Sequence, residues 1–193
     1  MLSTDDAHEL LHRYGGDAAW IRHCKAVSRV AARVGALMTP KYGLDVEYLT
    51  KGALLHDVGR YKTHDPIMHG VEGYRLLTTL GHHREAFICA SHILCGMPRA
   101  EAIRFGLPDQ DFLPQSMEQR LVPLIDSLVE FDRPTTLEQR VLSINRRYHD
   151  NAWFLGRMQH AAAIARALLD EVNLELGISL EQVAAETLSS DAP

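Results

Sequence analysis

Apolar residues recur along this chain at alternating steps of three and four, the spacing that lays one stripe along an α-helix. The clearest stripe is His23, Val27, Val30, Val34 and Leu37. It predicts a helix capped by Asp17 and running to about Met38, ahead of Pro40. A shorter helix precedes it over residues 5–14, stopped by Gly15-Gly16. Asp45 caps a third, in which Leu49, Ala53 and His56 share a face and Gly59 ends the pattern. Asp65-Pro66 opens a fourth, with the stripe His69, Gly73, Leu76, Leu80 and a terminating Gly81. Within it, Gly70 and Gly73 leave room for another backbone to come close. The next helix, about His83 to Cys95, carries Ile88, His92 and Cys95 on one face before Gly96, and Pro98 opens a short one that ends near Gly106.

Residues 106–115 are the longest irregular stretch. Ser116 and Gln119 then form a capping box for a helix with the stripe Glu118, Val122, Ile125/Asp126, Val129, which Pro123 should kink one turn before Asp126. Thr135 and Glu138 read as a second capping box. Asp150 begins a long helix from Asn151 to about Leu176, and Ser179 with Gln182 starts a last one. The polar tail from Ser189 should fray. Period-two alternation is absent, so no sheet of consequence is expected. The pattern specifies an all-α protein of about eight to ten helices, packed irregularly rather than as a simple bundle. It forms one domain over residues 1–193, with its core at about 17–176.

Composition narrows the class. Hydrophobic residues make up 46% and charged ones 23%, as in an ordinary globular protein. A net charge of −5 argues against binding nucleic-acid polymers by charge alone. No apolar run is long enough to span a membrane, and the N-terminus lacks the basic and apolar regions of a signal peptide. Cys24, Cys89 and Cys95 form no CxxC pair, which suits reduced thiols in a cytoplasmic protein. The 11 histidines are the oddity, and where they fall matters more than their number.

Six polar residues lie on the inward stripes or beside them: His23, His56, Asp57, His69, His92 and Asp126. A single histidine on an apolar face is more often a hydrogen-bonded core residue than a ligand. Six on different helices each need a partner, and one shared metal site would satisfy them together. His56 and Asp57 are adjacent, so in a continuous helix they point about 100° apart and can share a cation only if it sits between those directions. Imidazole with carboxylate suits one or two divalent transition ions: manganese, iron, cobalt, nickel or zinc. Two aspartates neutralise one such ion, and a second leaves positive charge that suits an anionic substrate.

The order His23 … His56-Asp57-Val58-Gly59 … Asp126 resembles the HD-domain superfamily of metal-dependent phosphohydrolases, in its HDIG variant. Arg22-His23-Cys24, His64 and His69 ahead of Gly73, Ser91-His92-Ile93 and Gly106-Leu107-Pro108 extend the resemblance over most of the chain, which looks similar to small stand-alone HDIG proteins. It implies an HD-type helical fold with the metal site in its core. His23, His56, Asp57 and Asp126 match the ligands of the common metal site. His69 and His92 match the two histidines added in dinuclear members, where Asp57 would bridge the ions. His64, His82 and His83 are competing candidates.

The implied reaction is hydrolysis of a phosphomonoester or phosphodiester by metal-activated water, on a nucleotide or another small phosphorylated metabolite. Asp57, Arg60 and Lys62 are the candidate catalytic residues, the two cations as holders of phosphate oxygens. Arg99 and Arg104 are weaker candidates, and Lys25 and Arg29 read as surface. Loops 60–68 and 96–115 would carry specificity. Two other readings share the pattern: a di-iron oxygenase of the same fold that cleaves C–C or C–P bonds, and a non-catalytic binding module. The partner is then a small molecule rather than a polymer or a membrane, and the protein a monomer or homodimer.

Overall fold

The computed structural model describes residues 2–189; the rest of the tail expected to fray lies outside the described residues. Among those residues the chain forms ten α-helices, two 3-10 turns and one hairpin of four residues. The helices are α1 (Thr4–Gly15), α2 (Ala19–Tyr42), α3 (Val46–Leu55), α4 (Met68–Thr79), α5 (His83–Ser91), α6 (Arg99–Arg104), α7 (Met117–Ser127), α8 (Leu137–Arg147), α9 (Ala152–Leu176) and α10 (Leu180–Ser189). The 3-10 turns are Val58–Tyr61 and Ile93–Cys95, and β1 (Val129–Glu130) pairs antiparallel with β2 (Arg133–Pro134). The fold is all-α.

The stripe of α2 is its buried face. Val27, Val30 and Val34 are fully buried, and burial of such a side chain is worth about 1.5–3 kcal/mol. Met38, rather than Leu37, closes the stripe. This face packs against α3, α7, α9 and α10 in the largest apolar cluster, so the long helix α9 seats on its own core through Ala165, Leu168, Leu169 and Val172.

Several boundaries differ from expectation, each for a local reason. Asp17 does not cap α2: the N-cap is Ala18, without a side-chain bond, and backbone turns from Ala18 N to Gly15 O and from Ile21 N to Ala18 O start the helix instead. Pro40 lies inside the last turn of α2, where it removes only one helical bond before left-handed Gly43 ends the helix. Helix α4 starts at Met68 rather than at Pro66, although Asp65 does cap that entry; its apolar face closes with buried Leu77, whereas Leu80 is exposed. The second capping box does not form: Thr136 alone caps α8, accepting from Gln139 N, while Gln139 Oε1 accepts from Thr135 Oγ1. Asn151, not Asp150, caps α9. The helix over 83–95 breaks at Ser91, and Leu94 and Cys95 take positive φ values of 51° and 58°. The first capping box, Ser116 with Gln119, forms as expected, and α7 runs through Pro123 without interruption.

Gly59 has a different job from ending α3, which stops at Leu55. A Cβ at Gly59 would overlap the His69 carbonyl oxygen and the Gly73 nitrogen. At Gly70 it would overlap the Cys89 carbonyl, and at Gly73 it would lie 3.1 Å from Cys89 Sγ. The three glycines therefore let the turn after α3, helix α4 and helix α5 touch backbone to backbone.

Candidate metal centre

Three consequences of that close packing build the site. Helix α3 ends just before His56, which keeps helical dihedrals, while Asp57 turns out to φ −100°, ψ 10°. The turn lets neighbours that a continuous helix would splay apart face one centre, with His56 Nε2 3.8 Å from Asp57 Oδ1. Gly59 and Gly73 bring His69 in from α4, with Nε2 2.8 Å from Asp57 Oδ1. Helix α5 delivers His92, whose Nε2 is 3.6 Å from the same oxygen and 3.3 Å from His69 Nε2. From the other side, His23 Nε2 on α2 lies 2.9 Å from Asp126 Oδ1 on α7, and His56 Nε2 3.7 Å from it. All six expected ligands are thus brought together.

Every one of the four imidazoles is oriented by a backbone carbonyl. Nδ1 contacts Phe131 O for His23 (2.8 Å), Ala53 O for His56 (2.7 Å), Asp65 O for His69 (2.8 Å) and Ile88 O for His92 (3.2 Å). A carbonyl only accepts, so each Nδ1 donates, and each ring turns its Nε2 inward, the atom that a metal ion would take. His56 Nε2 is fully buried without a hydrogen-bond partner. Two triads, His23/His56/Asp57 and Asp57/His69/His92, keep their ligand atoms within 4.8 Å of one another and share Asp57. An orphaned ring nitrogen, four inward Nε2 atoms and two carboxylates fit one or two divalent transition ions.

The charges are strongly perturbed. Burial would raise the Asp57 carboxyl, but His69, His56 and Arg60 outweigh it and hold the group well below the usual carboxylate range. Asp126 is held low in the same way, burial being outweighed by His23 and His56. For His56, burial pulls downward and is overcome by Asp57 and Asp126, so its pKa is raised. His92 is lowered, by burial first and by the charges of His56 and His69.

Beyond the ligands stands a cationic shell. Arg60 Nε donates to Asp57 Oδ2, which leaves its terminal nitrogens for a ligand. From α8, Arg140 reaches Asp126 Oδ1 at 3.9 Å and Glu130 Oε1 at 3.4 Å, while its Nε is buried without a partner. Arg147 also reaches Glu130 Oε1, at 3.4 Å. Asp57, Arg60, Arg140 and Arg147 border two clefts at once. One cleft runs between α7, α8 and α9 past Ile144, Phe154 and Met158. The other opens past Trp20, His64 and Phe131.

Arg140, Arg147, Trp20 and Phe131 had not been singled out from the sequence. The only signal was the four-then-three spacing of Arg140, Ile144 and Arg147, which puts two cations on one face of α8. Lys62 borders neither cleft; it is paired with Glu72 at 2.7 Å. Arg99 is held by Asp109, Arg104 lies over the Phe105 and Trp153 rings, and His82 and His83 line a separate groove beside α1. Loop 60–68 contributes Arg60, His64 and Pro66 to the cleft walls. Loop 96–115 contributes nothing, because Met97 and Phe112 pair with each other and bury themselves in the core.

An uncharacterized protein of Methanocaldococcus jannaschii is 36% identical over 133 residues, 68% of this chain and 78% of that protein. Two proteins named tRNA (cytidine(56)-2'-O)-methyltransferase are also similar. The one from Thermoplasma volcanium is 32% identical over 75% of this chain, and the one from Picrophilus torridus 30% identical over 89%. The chain spans only 41% and 50% of those two proteins. No solved structure matches. The family model described as HD domain matches residues 20–144, which hold the six convergent residues, and this chain belongs to the HD-domain family.

Proposed function

We propose that the protein is a metal-dependent phosphohydrolase acting on a small phosphorylated metabolite. The observation that carries this reading is the juxtaposition of five buried His and Asp residues and half-buried Asp126 with three arginines at the meeting of two clefts. His23, His56, Asp57 and Asp126 would hold one divalent ion, and Asp57, His69 and His92 a second. Such an ion, when bound, acidifies water and draws charge from a phosphoryl oxygen. The protein's own groups do the rest. The terminal nitrogens of Arg60, with Arg140 and Arg147, grip non-bridging oxygens and offset the charge that grows on them. The buried walls keep the surroundings poorly polarisable, which strengthens each of those attractions. Arg60 has a second task, since its bond to Asp57 Oδ2 fixes the carboxylate that both triads share. Methyl transfer, the activity named for two longer relatives, is no part of the proposal.

The test is elemental analysis of the purified protein, followed by a phosphoester panel. One or two manganese, cobalt, nickel or zinc ions per chain, with turnover of a phosphoester, is the expected result. Two irons with oxygen uptake and no hydrolysis would replace the proposal with oxygenase chemistry. A chain that takes up no metal even on reconstitution would leave only a binding module.

A further inference from the structure

Phe131 is unexplained by ligands or arginines. It sits at the hairpin tip with φ 57°, a left-handed backbone that is strained for a bulky residue, and it is 72% exposed, so burial does not offset the strain. Such strain persists where the surroundings over-determine the backbone. Here they do so on both flanks. The Phe131 carbonyl accepts from His23 Nδ1, and Asp132 accepts from Arg22 Nε at 3.1 Å. On the other side, Glu130 Oε1 accepts from Ser143 Oγ at 2.5 Å and from Arg140 and Arg147. The hairpin is fastened to α2 and α8, and the ring is presented rather than stored.

Phe131 and half-buried Trp20 border the same cleft, whose inner end is Asp57, Arg60, Arg140 and Arg147. That cleft holds about 470 Å³ of free space, against about 100 Å³ in the one between α7, α8 and α9. The smaller space is below the 150 Å³ or so that encloses a benzene ring, so the wider cleft is the better fit for a phosphate together with an organic group. We infer that Trp20 and Phe131 determine specificity by stacking on a planar aromatic group of the substrate, while its phosphate lies against the three arginines. This rests on the phosphoester reading and adds the class of the ester. Aromatic faces stack on any planar π-system and reward it beyond the area that it buries.

The test is calorimetric titration of the metal-loaded protein with three ligands: inorganic phosphate, benzylphosphonate and cyclohexylmethylphosphonate. Benzylphosphonate should bind about tenfold tighter than inorganic phosphate and several-fold tighter than cyclohexylmethylphosphonate. Phe131→Ala and Trp20→Ala should each remove most of that advantage, with phosphate affinity and metal content unchanged. Phe131→Gly should do the same while raising the melting temperature, because glycine accepts the left-handed backbone without strain. A benzyl advantage that is absent, equalled by the cyclohexyl ligand, or retained in both alanine variants overturns the stacking role. Loss of all binding, inorganic phosphate included, overturns the phosphoester reading beneath it.

Discussion

Two histidine pairs flank Asp57, and different parts of the molecule hold them in place. His69 and His92 donate to carbonyls four residues behind them on their own chain segments. Their shared carboxylate is 3% exposed. His23 instead donates to Phe131 O, 108 residues away, and its carboxylate partner Asp126 is 22% exposed. The first arrangement is fixed once α4 and α5 pack. The second also needs the hairpin, and so links a residue of the candidate metal site to the wall of the wider cleft.

Removing the residue common to both pairs should have the largest effect. Asp57→Ala should lose all bound metal and at least about 10³-fold in activity, read by elemental analysis and turnover. Full metal content would remove Asp57 from the shared position. Gly59→Ala should come next. Its methyl group meets backbone, which cannot turn aside, so a cost of about 3 kcal/mol or more is expected in urea denaturation, together with weaker metal retention.

The pairs themselves can be separated. His92→Ala should lower metal content by about one ion while amide exchange of residues 129–133 stays slow. His23→Ala should lower it and also speed that exchange. Equal exchange in the two variants would break the contrast. Arg140→Ala should raise KM for a phosphoester about tenfold at unchanged metal content. A loss of metal there would make Arg140 a support of Asp126 rather than a holder of substrate.

Acid gives the mildest test. Asp57 and Asp126 have folded pKa values well below the ordinary carboxylate range, so the unfolded chain binds more protons at low pH. Their contribution to the stability of the metal-free protein is therefore full above about pH 4 and is lost as pH falls through the folded values. Denaturation followed with a chelator from pH 7 to 3 should show this decline, and Asp126→Asn should flatten it.

How much of this was legible follows from the same contrast. His23, His56, His69 and His92 sit on or at the ends of helices whose stripes can be read locally, and Asp126 interrupts an apolar run. Arg140 and Arg147 belong to α8, of which only Leu137 is buried, and charges on such a helix read as solvated surface until α7 and α9 are placed beside it. Phe131 gave no signal at all, because its conformation is imposed by bonds to distant residues and no local pattern encodes a strained phenylalanine. Asp17 and Thr135 resemble caps because any small polar residue near a helix start does, and only the backbone geometry selects one.

The fixed imidazoles also bear on how the protein is maintained. With every Nδ1 donating to a carbonyl, Nε2 of His69 and Nε2 of His92 meet at 3.3 Å beside Asp57 Oδ1, where one cation would satisfy all three atoms. The folded chain offers this arrangement and the unfolded chain does not, so a metal ion held there would act as a ligand of the native state alone. Each tenfold excess of free ion over its dissociation constant then adds about 1.4 kcal/mol to folding. Abundance in the cell should track the supply of that ion, and the surviving fraction under starvation would be set by unfolding and proteolysis rather than by synthesis.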